Sequence, residues 1–272
     1  MTPMRSVAPL LLSLLAVTRA LKLAPLGLTR RNCLASAAAA LSASVLRGPA
    51  LAAGEEDDVE VYFGCGCFWH VQHELVEAER RILGRKDSEL TALAGYAGGL
   101  AGTKDGKVCY HNALQISEYG RLGHAEVVRL KIPPATFGDF ATEYFKLFDD
   151  KGFRPDQWGD RGLEYRNLVG IPGGGSSPLA KTLIESSKSA GDKLDIAKGT
   201  GDDADKPAVT WVMDTAQFPF YVAEGYHQFH DGFAAGEDYP SAYNSLASKV
   251  KSAKLMKSTC PNGMLGVGVL GL

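Results

Sequence analysis

Residues 59–83 constrain the fold more than any other stretch of the chain. Val59-Glu60-Val61-Tyr62-Phe63 reads as a short strand that stops at the turn Gly64-Cys65-Gly66-Cys67. Behind the turn, Phe68, Val71, Leu75, Val76, Glu79 and Leu83 recur at three- and four-residue spacing, the period of a helix with one buried face. Further strands are expected over 91–97, Ala125–Ile132, 165–171 and 208–213. Helices are expected over about 136–148 and 177–198, near 223–230, and over 239–254 before a glycine-rich tail. A long polar loop fills 100–122, and Pro133-Pro134 closes the strand before it. Strands and helices interleave without a regular βα repeat, so the class is α+β.

Charge separates a head from this body. Residues 1–54 hold six of the 29 Lys/Arg and no Asp or Glu, so 23 basic residues face 31 acidic ones beyond them, a net of −8. An acidic body has nothing to neutralise phosphates, which argues against nucleic acid as partner. The eleven apolar residues 7–17 have the length of a secretory core and are too short to span a bilayer. Arg30-Arg31, an Ala/Ser/Leu-rich stretch and Ala50-Leu51-Ala52 then form a second export-like unit. Residues 1–53 are therefore read as a cleavable presequence, either one signal or transit peptide or two export units in tandem. The tandem form resembles the presequences of algae with secondary plastids. It implies a plastid, with the thylakoid lumen as last stop; the alternative is secretion or an endomembrane lumen. No membrane association of the mature chain is expected.

Five cysteines are too few and too unevenly placed for a disulfide-stapled scaffold, which leaves thiol chemistry. Cys67 closes a glycine turn at a helix N-terminus, where unpaired N–H groups favour an anion. An ordinary thiol of pKa ~8.5 is only roughly 3% ionised at neutral pH, so such a position matters for reactivity. A buried structural cysteine is the alternative for the turn taken alone.

The neighbours of Cys67 decide between them. Gly66-Cys67-Phe68-Trp69 is followed by Gly95-Tyr96-Ala97-Gly98-Gly99 and Gly123-His124-Ala125-Glu126-Val127-Val128. Next come Gly159-Asp160-Arg161-Gly162 with Tyr165-Arg166, then Tyr221-Val222-Ala223-Glu224 with His227-Gln228, and last Cys260. Block by block, residues 58–272 resemble the type A peptide methionine sulfoxide reductases. The resemblance implies a ferredoxin-like core and reduction of the S epimer of methionine sulfoxide, in proteins and as the free amino acid. No metal and no organic cofactor are implied, only an external thiol reductant. It makes Cys67 the nucleophile, Glu126 the acid, and Asp160 and Tyr165 the polar partners of the sulfoxide and its water. Cys260 becomes the recycling thiol, with Cys109, at the family's non-recycling position, and the nearby Cys65 as its competitors. Methionine sulfoxide-containing proteins and a thioredoxin-like reductant are the implied partners of a monomer.

The residues make chemical sense of these roles. A sulfoxide sulfur is attacked only when its oxygen is protonated or strongly hydrogen-bonded. The reaction therefore needs a thiolate, an acid and an apolar wall for the methyl, which Phe68 and Trp69 can supply. A carboxyl in an apolar pocket is pushed toward its neutral, proton-donating form, which suits Glu126. Its alternative is a solvated strand residue paired with Arg129.

Two departures stand out. The family's second active-site tyrosine falls at Asp105 here, with Tyr110 and Tyr119 as candidates to reach the same oxygen. The family's histidine after the aspartate is Arg161. Zinc held by Cys65, Cys67, His70, His73, Cys109 and His111 lacks paired-ligand spacing, and no Cys-x-x-Cys supports a disulfide exchanger. The remaining rival is an inactive relative that only binds oxidised-methionine peptides.

Overall fold

The computed structural model describes residues 57–100, 102, 106–230, 242–250 and 260–261. The expected presequence, Asp105 and most of the glycine-rich tail lie outside the described residues. β1 (Val59–Gly64) runs through the glycine turn into α1 (Phe68–Leu83), as the period requires. Gly84 ends that helix at φ 65°, its N–H turned back to the Arg80 carbonyl. β2 (Leu93–Ala97), β3 (Ala125–Ile132), α2 (Phe137–Lys146) and β4 (Leu168–Ile171) complete a βαββαβ unit. Its strands lie in the order β4-β1-β3-β2, all antiparallel, which is the ferredoxin-like arrangement.

The sheet is extended at both edges. α3 (Pro178–Ser189) precedes β5 (Asp195–Lys198) and β6 (Val209–Asp214), which add in parallel beyond β4. β7 (Tyr221–Val222) pairs antiparallel with β2 at the other edge, and α4 (Leu246–Lys249) follows. Among the described residues, no helix is long and apolar enough to cross a membrane.

Strand alternation sorts side chains to two faces. Val128, Leu130 and Ile132 of β3 join the main core with Phe63, Leu75, Phe137 and Phe140, whereas Ala125 and Val127 join Tyr62 and Leu168 on the other face. Glu126 has the parity of Val128, so β3 carries a carboxyl onto its core face, where it is 1% exposed. That placement is the basis of the site chemistry below.

Two motif residues serve the scaffold. Arg166 is buried and donates to the carbonyls of Gly98 (2.7 Å), Gly123 (3.1 Å) and Leu163 (2.8 Å), tying the ends of β2 and β3 to the segment before β4. Gln228 accepts from the Ala94 N–H (3.0 Å) and donates to the Ala94 carbonyl (2.9 Å). It thereby supplies edge hydrogen bonds beside the short β7.

Several elements differ from the sequence reading. The helix expected over 177–198 ends at Ser189, because Gly191 (φ 103°) and Asp192 (φ 55°) break it and release β5. Four residues of β5 are too short a run for alternation to reveal. The strand expected over 165–171 starts at Leu168, since Leu163–Tyr165 coil into one tight 3₁₀ turn. A similar turn at Gly225–His227 replaces the helix near 223–230. The helix expected over 239–254 is described only as α4; the rest of that range is partly outside the described residues.

Candidate active site

Cys67 occupies the N-cap of α1 as a half-buried thiol outside the disulfide. Its turn is clamped from the segment before β4. The Gly66 N–H donates to the Tyr165 carbonyl (3.0 Å), and the Gln157 amide donates to the Cys67 carbonyl (3.3 Å). Gly66 has φ +80°, and a Cβ there would lie 1.8 Å from the Gln157 Oε1, so only glycine fits. The Cys67 N–H donates to the Asp160 carboxylate, which sets Asp160 beside the thiol. Burial nonetheless holds the Asp160 pKa above its ordinary value. The buried Arg154 guanidinium donates to the carbonyls of Tyr165 and Asp160, fixing both residues to one bracket.

Cys65, two residues away, is a different kind of thiol. It is buried, and burial pushes its pKa up to about 12. It stays neutral at physiological pH and is no competitor as nucleophile.

Glu126 lies over the start of α1. Its Oε2 accepts from the Phe68 N–H (3.0 Å) and its Oε1 from the Tyr119 hydroxyl (3.1 Å). Burial pushes its pKa up to about 8, against those two hydrogen bonds and with the help of negative charge at Asp160 and Glu164. A carboxyl so tuned is mostly protonated at neutral pH and can act as an acid. The alternative pairing with Arg129 does not form, for Arg129 pairs with Glu60 (3.4 Å).

Tyr119 answers the first departure from the family pattern. The Cys109 N–H donates to the Ser117 carbonyl (2.8 Å) and the Tyr119 N–H to the Cys109 carbonyl (2.8 Å), so the long loop doubles back. It delivers Tyr119 onto Tyr96, with ring centroids 4.7 Å apart. Tyr110 stacks on Tyr119 (5.7 Å) and against His227 (4.4 Å). Burial holds the hydroxyls of Tyr110, Tyr119 and Tyr165 protonated, so each can donate to an oxygen.

The two aromatic residues after Cys67 divide in role. Phe68 is 1% exposed and belongs to the core under the site, with Tyr96 at 5.9 Å. Trp69 is partly exposed and stacks on His227 (5.8 Å), which burial keeps neutral with a pKa of about 3. His227 and Tyr110 thus extend the wall beyond Phe68 and Trp69, the two residues expected to form it, although the His227-Gln228 block was visible in sequence.

The other two cysteines among the described residues are paired with each other. Cys260 forms a disulfide with Cys109, the cysteine expected not to recycle, and not with Cys67. The candidate zinc ligands do not converge. Among the described residues, the clusters of three ligating groups are Cys109–Glu224–Cys260 and His111–Glu118–Glu164. Neither brings in Cys65, Cys67, His70 or His73, and the two sulfurs of the first are in the disulfide. Arg161, the second departure, faces Asp205 (3.3 Å).

A reduced cysteine at a helix N-terminus, a neutral buried carboxyl and clustered tyrosines on a ferredoxin-like sheet define a thiol-based reductase of polar S=O or similar groups. Comparison with known proteins agrees. Residues 59–262 match the family model for peptide methionine sulfoxide reductase. The chain is 28% identical over 180 residues to peptide methionine sulfoxide reductase MsrA of Geobacter sulfurreducens, covering 65% of this chain and 93% of that one. It is 32% identical to the MsrA of Pseudomonas aeruginosa, covering 62% of this chain and 66% of the longer relative, just under two thirds of its length. Among solved structures, methionine sulfoxide reductase A of Corynebacterium diphtheriae matches with TM-score 0.41 and 20% identity, covering 69% of this chain and 85% of that one. The chain belongs to the peptide methionine sulfoxide reductase family.

Proposed function

We propose that this chain reduces the S epimer of methionine sulfoxide in proteins, with Cys67 as nucleophile and Glu126 as acid. The observation that carries the reading is the buried Glu126 carboxyl bonded to the first N–H of the helix that Cys67 caps. The Cys67 thiolate attacks the sulfoxide sulfur while Glu126 gives its proton to the oxygen. The resulting hydroxyl passes from the substrate sulfur to the Cys67 sulfur: the substrate S–O bond breaks, an S–O bond to Cys67 forms, and methionine leaves with Cys67 as a sulfenic acid. Tyr119 and Tyr165 donate to the oxygen as charge builds on it, and Asp160 orients them. Oxygen donors on one side, the Trp69 wall for the methyl and a fixed direction of attack distinguish three substituents, which selects one epimer. No step requires a metal or an organic cofactor. The inactive binding relative is disfavoured by the intact set Cys67, Glu126, Asp160 and Tyr165.

Recycling follows from the disulfide. The Cys260 thiol condenses with the sulfenic acid, releasing water and linking Cys67 to Cys260. The Cys109 thiolate then attacks Cys260 and frees Cys67, leaving the Cys109–Cys260 bond seen here. Cys109 is buried and Cys260 partly exposed, so an external thioredoxin-like reductant meets Cys260. Each transfer yields one expected species. Cys109→Ser should accumulate a Cys67–Cys260 link in mass spectra, and Cys260→Ser should stop after about one methionine per enzyme with thioredoxin. A Cys67–Cys109 link in Cys260→Ser would reverse the order of the two thiols. Unchanged thioredoxin-driven turnover there would remove Cys260 from the cycle.

The head is proposed as a cleaved presequence that delivers a monomeric enzyme to a plastid. Its acid-free composition, twin arginines and small residues at 50–52 support that reading.

A further inference from the structure

The long loop that supplies Tyr119 also supplies a chain of titratable groups from the buried acid to the surface. Glu126 loses its proton in every turnover, and it is 1% exposed, so water does not refill it directly. Its Oε2 is committed to the Phe68 N–H, a donor that cannot reverse. The proton of the neutral acid therefore belongs on Oε1, the oxygen that meets Tyr119.

Tyr119 has one proton and two carboxylates within reach. Its hydroxyl oxygen is 3.1 Å from Glu126 Oε1 and 3.4 Å from Glu164 Oε2. With Glu126 neutral, Tyr119 accepts from it and donates to Glu164; with Glu126 charged, the hydroxyl turns and donates to Glu126. The same Glu164 oxygen lies 3.2 Å from His111 Nε2, and His111 Nδ1 lies 2.8 Å from Glu118 Oε1. The His111 side chain is 42% exposed, which puts the outer end of this chain in solvent.

The geometry points to a proton-refill path for Glu126 through Tyr119, Glu164 and His111. A buffer acid or hydronium gives a proton to the His111–Glu118 end at Nδ1. The ring releases its Nε2 proton to Glu164, Glu164 passes it to the Tyr119 oxygen, and Tyr119 gives its own hydroxyl proton to Glu126. One proton enters and one arrives; Glu164 and Tyr119 return to their starting states, and the imidazole, left with its proton on Nδ1, resets its tautomer by exchange with solvent at its exposed face. Because the two ring nitrogens have different partners, the imidazole can load on one side and discharge on the other. The charged and titratable groups around His111 are Glu118, Glu164, Tyr110, Tyr119 and, farther off, His227. The two carboxylates, Glu164 first, hold the imidazolium up to about 9, so the entry is loaded at neutral pH. Glu118 and Glu164 sit on different nitrogens, an arrangement of ion pairs rather than of ligands converging on one ion. Glu164 and His111 are relay residues that need not touch the substrate; Tyr119 is shared, relaying to Glu126 between turnovers and turning its hydroxyl to the sulfoxide oxygen during attack.

The inference rests on Glu126 being the acid of sulfoxide reduction. Its test compares wild type, His111→Ala and Glu164→Gln with saturating dithiothreitol at neutral pH, reading the first methionine by rapid quench and the later ones in steady state. The first turnover of His111→Ala should match wild type, since Glu126 starts out protonated. Its steady-state rate should fall about tenfold and return when imidazole buffer is added. Glu164→Gln should fall comparably in steady state with no response to imidazole, because the break lies inside the refilled position. An unchanged steady-state rate in His111→Ala would overturn the path. So would first and later turnovers slowing together without imidazole rescue, the signature of a loop merely propped by His111. If wild type itself forms no methionine, the reductase reading fails first, which separates the two failures.

Discussion

Cys67→Ser is expected to lose methionine sulfoxide reduction by ~10⁴-fold or more, down to background, with dithiothreitol as with thioredoxin. Serine keeps the size of the side chain and its place at the N-cap of α1, so the fold and peptide binding should persist. What disappears is ionisation. A helix N-terminus favours a thiolate, but no such setting brings a hydroxyl near ionisation at neutral pH. The neighbouring thiol does not substitute, because burial holds Cys65 neutral with a pKa up at about 12. Cys65→Ala should accordingly retain most of the wild-type rate. Activity surviving in Cys67→Ser and vanishing in Cys65→Ala would exchange the two roles and refute the clamped-turn account.

Glu126→Gln carries the second large effect. The amide can donate a hydrogen bond to the sulfoxide oxygen but has no proton to give, so the rate with dithiothreitol should drop ~10²–10³-fold while peptides still bind. The working form of Glu126 is the neutral one, and its pKa lies at about 8, raised chiefly by burial. Wild-type turnover should therefore decline as pH rises through 8, by tenfold per unit once the group is ionised, and that limb should be missing in the variant. A near-wild-type rate in Glu126→Gln between pH 6 and 8 would assign the proton to another group.

The same group makes an opposite prediction for stability. A folded pKa of about 8 against an ordinary 4.5 means that the folded protein holds this proton more tightly than the unfolded chain. Stability then falls as pH rises from 4.5 to 8, since the folded state must either keep a proton solution no longer favours or bury a charge. Glu126→Gln escapes that loss, so its Tm advantage over wild type should widen across this window. A Tm difference that stays constant with pH would contradict the buried-acid assignment.

The candidate site was legible in sequence through the family's motif blocks, each of which is local. Cys67 sits at a glycine turn between a strand and a helix, and Glu126 on a strand whose apolar neighbours bury it. Asp160 and Tyr165 lie in one short turn segment. What escaped depended on how the long loop folds. Tyr119 reaches Glu126 only because the loop after Cys109 folds back on itself, a pairing no periodicity reports. His111 entered the sequence reading only in the zinc set, and Glu118 and Glu164 not at all; the folded loop brings the three together. β5 and β7 escaped for a different reason, being four and two residues long. The Cys109–Cys260 bond spans 151 residues, and spacing alone offered no basis for preferring it.

The central claim is that Cys67, Glu126 and the oxygen-facing tyrosines form a handed site for one sulfoxide epimer. The direct measurement is turnover of the separated S and R epimers of a methionine sulfoxide peptide with dithiothreitol, following methionine formed from each. The site described here predicts complete reduction of the S epimer and none of the R epimer. Equal turnover of both, or of neither, would contradict it.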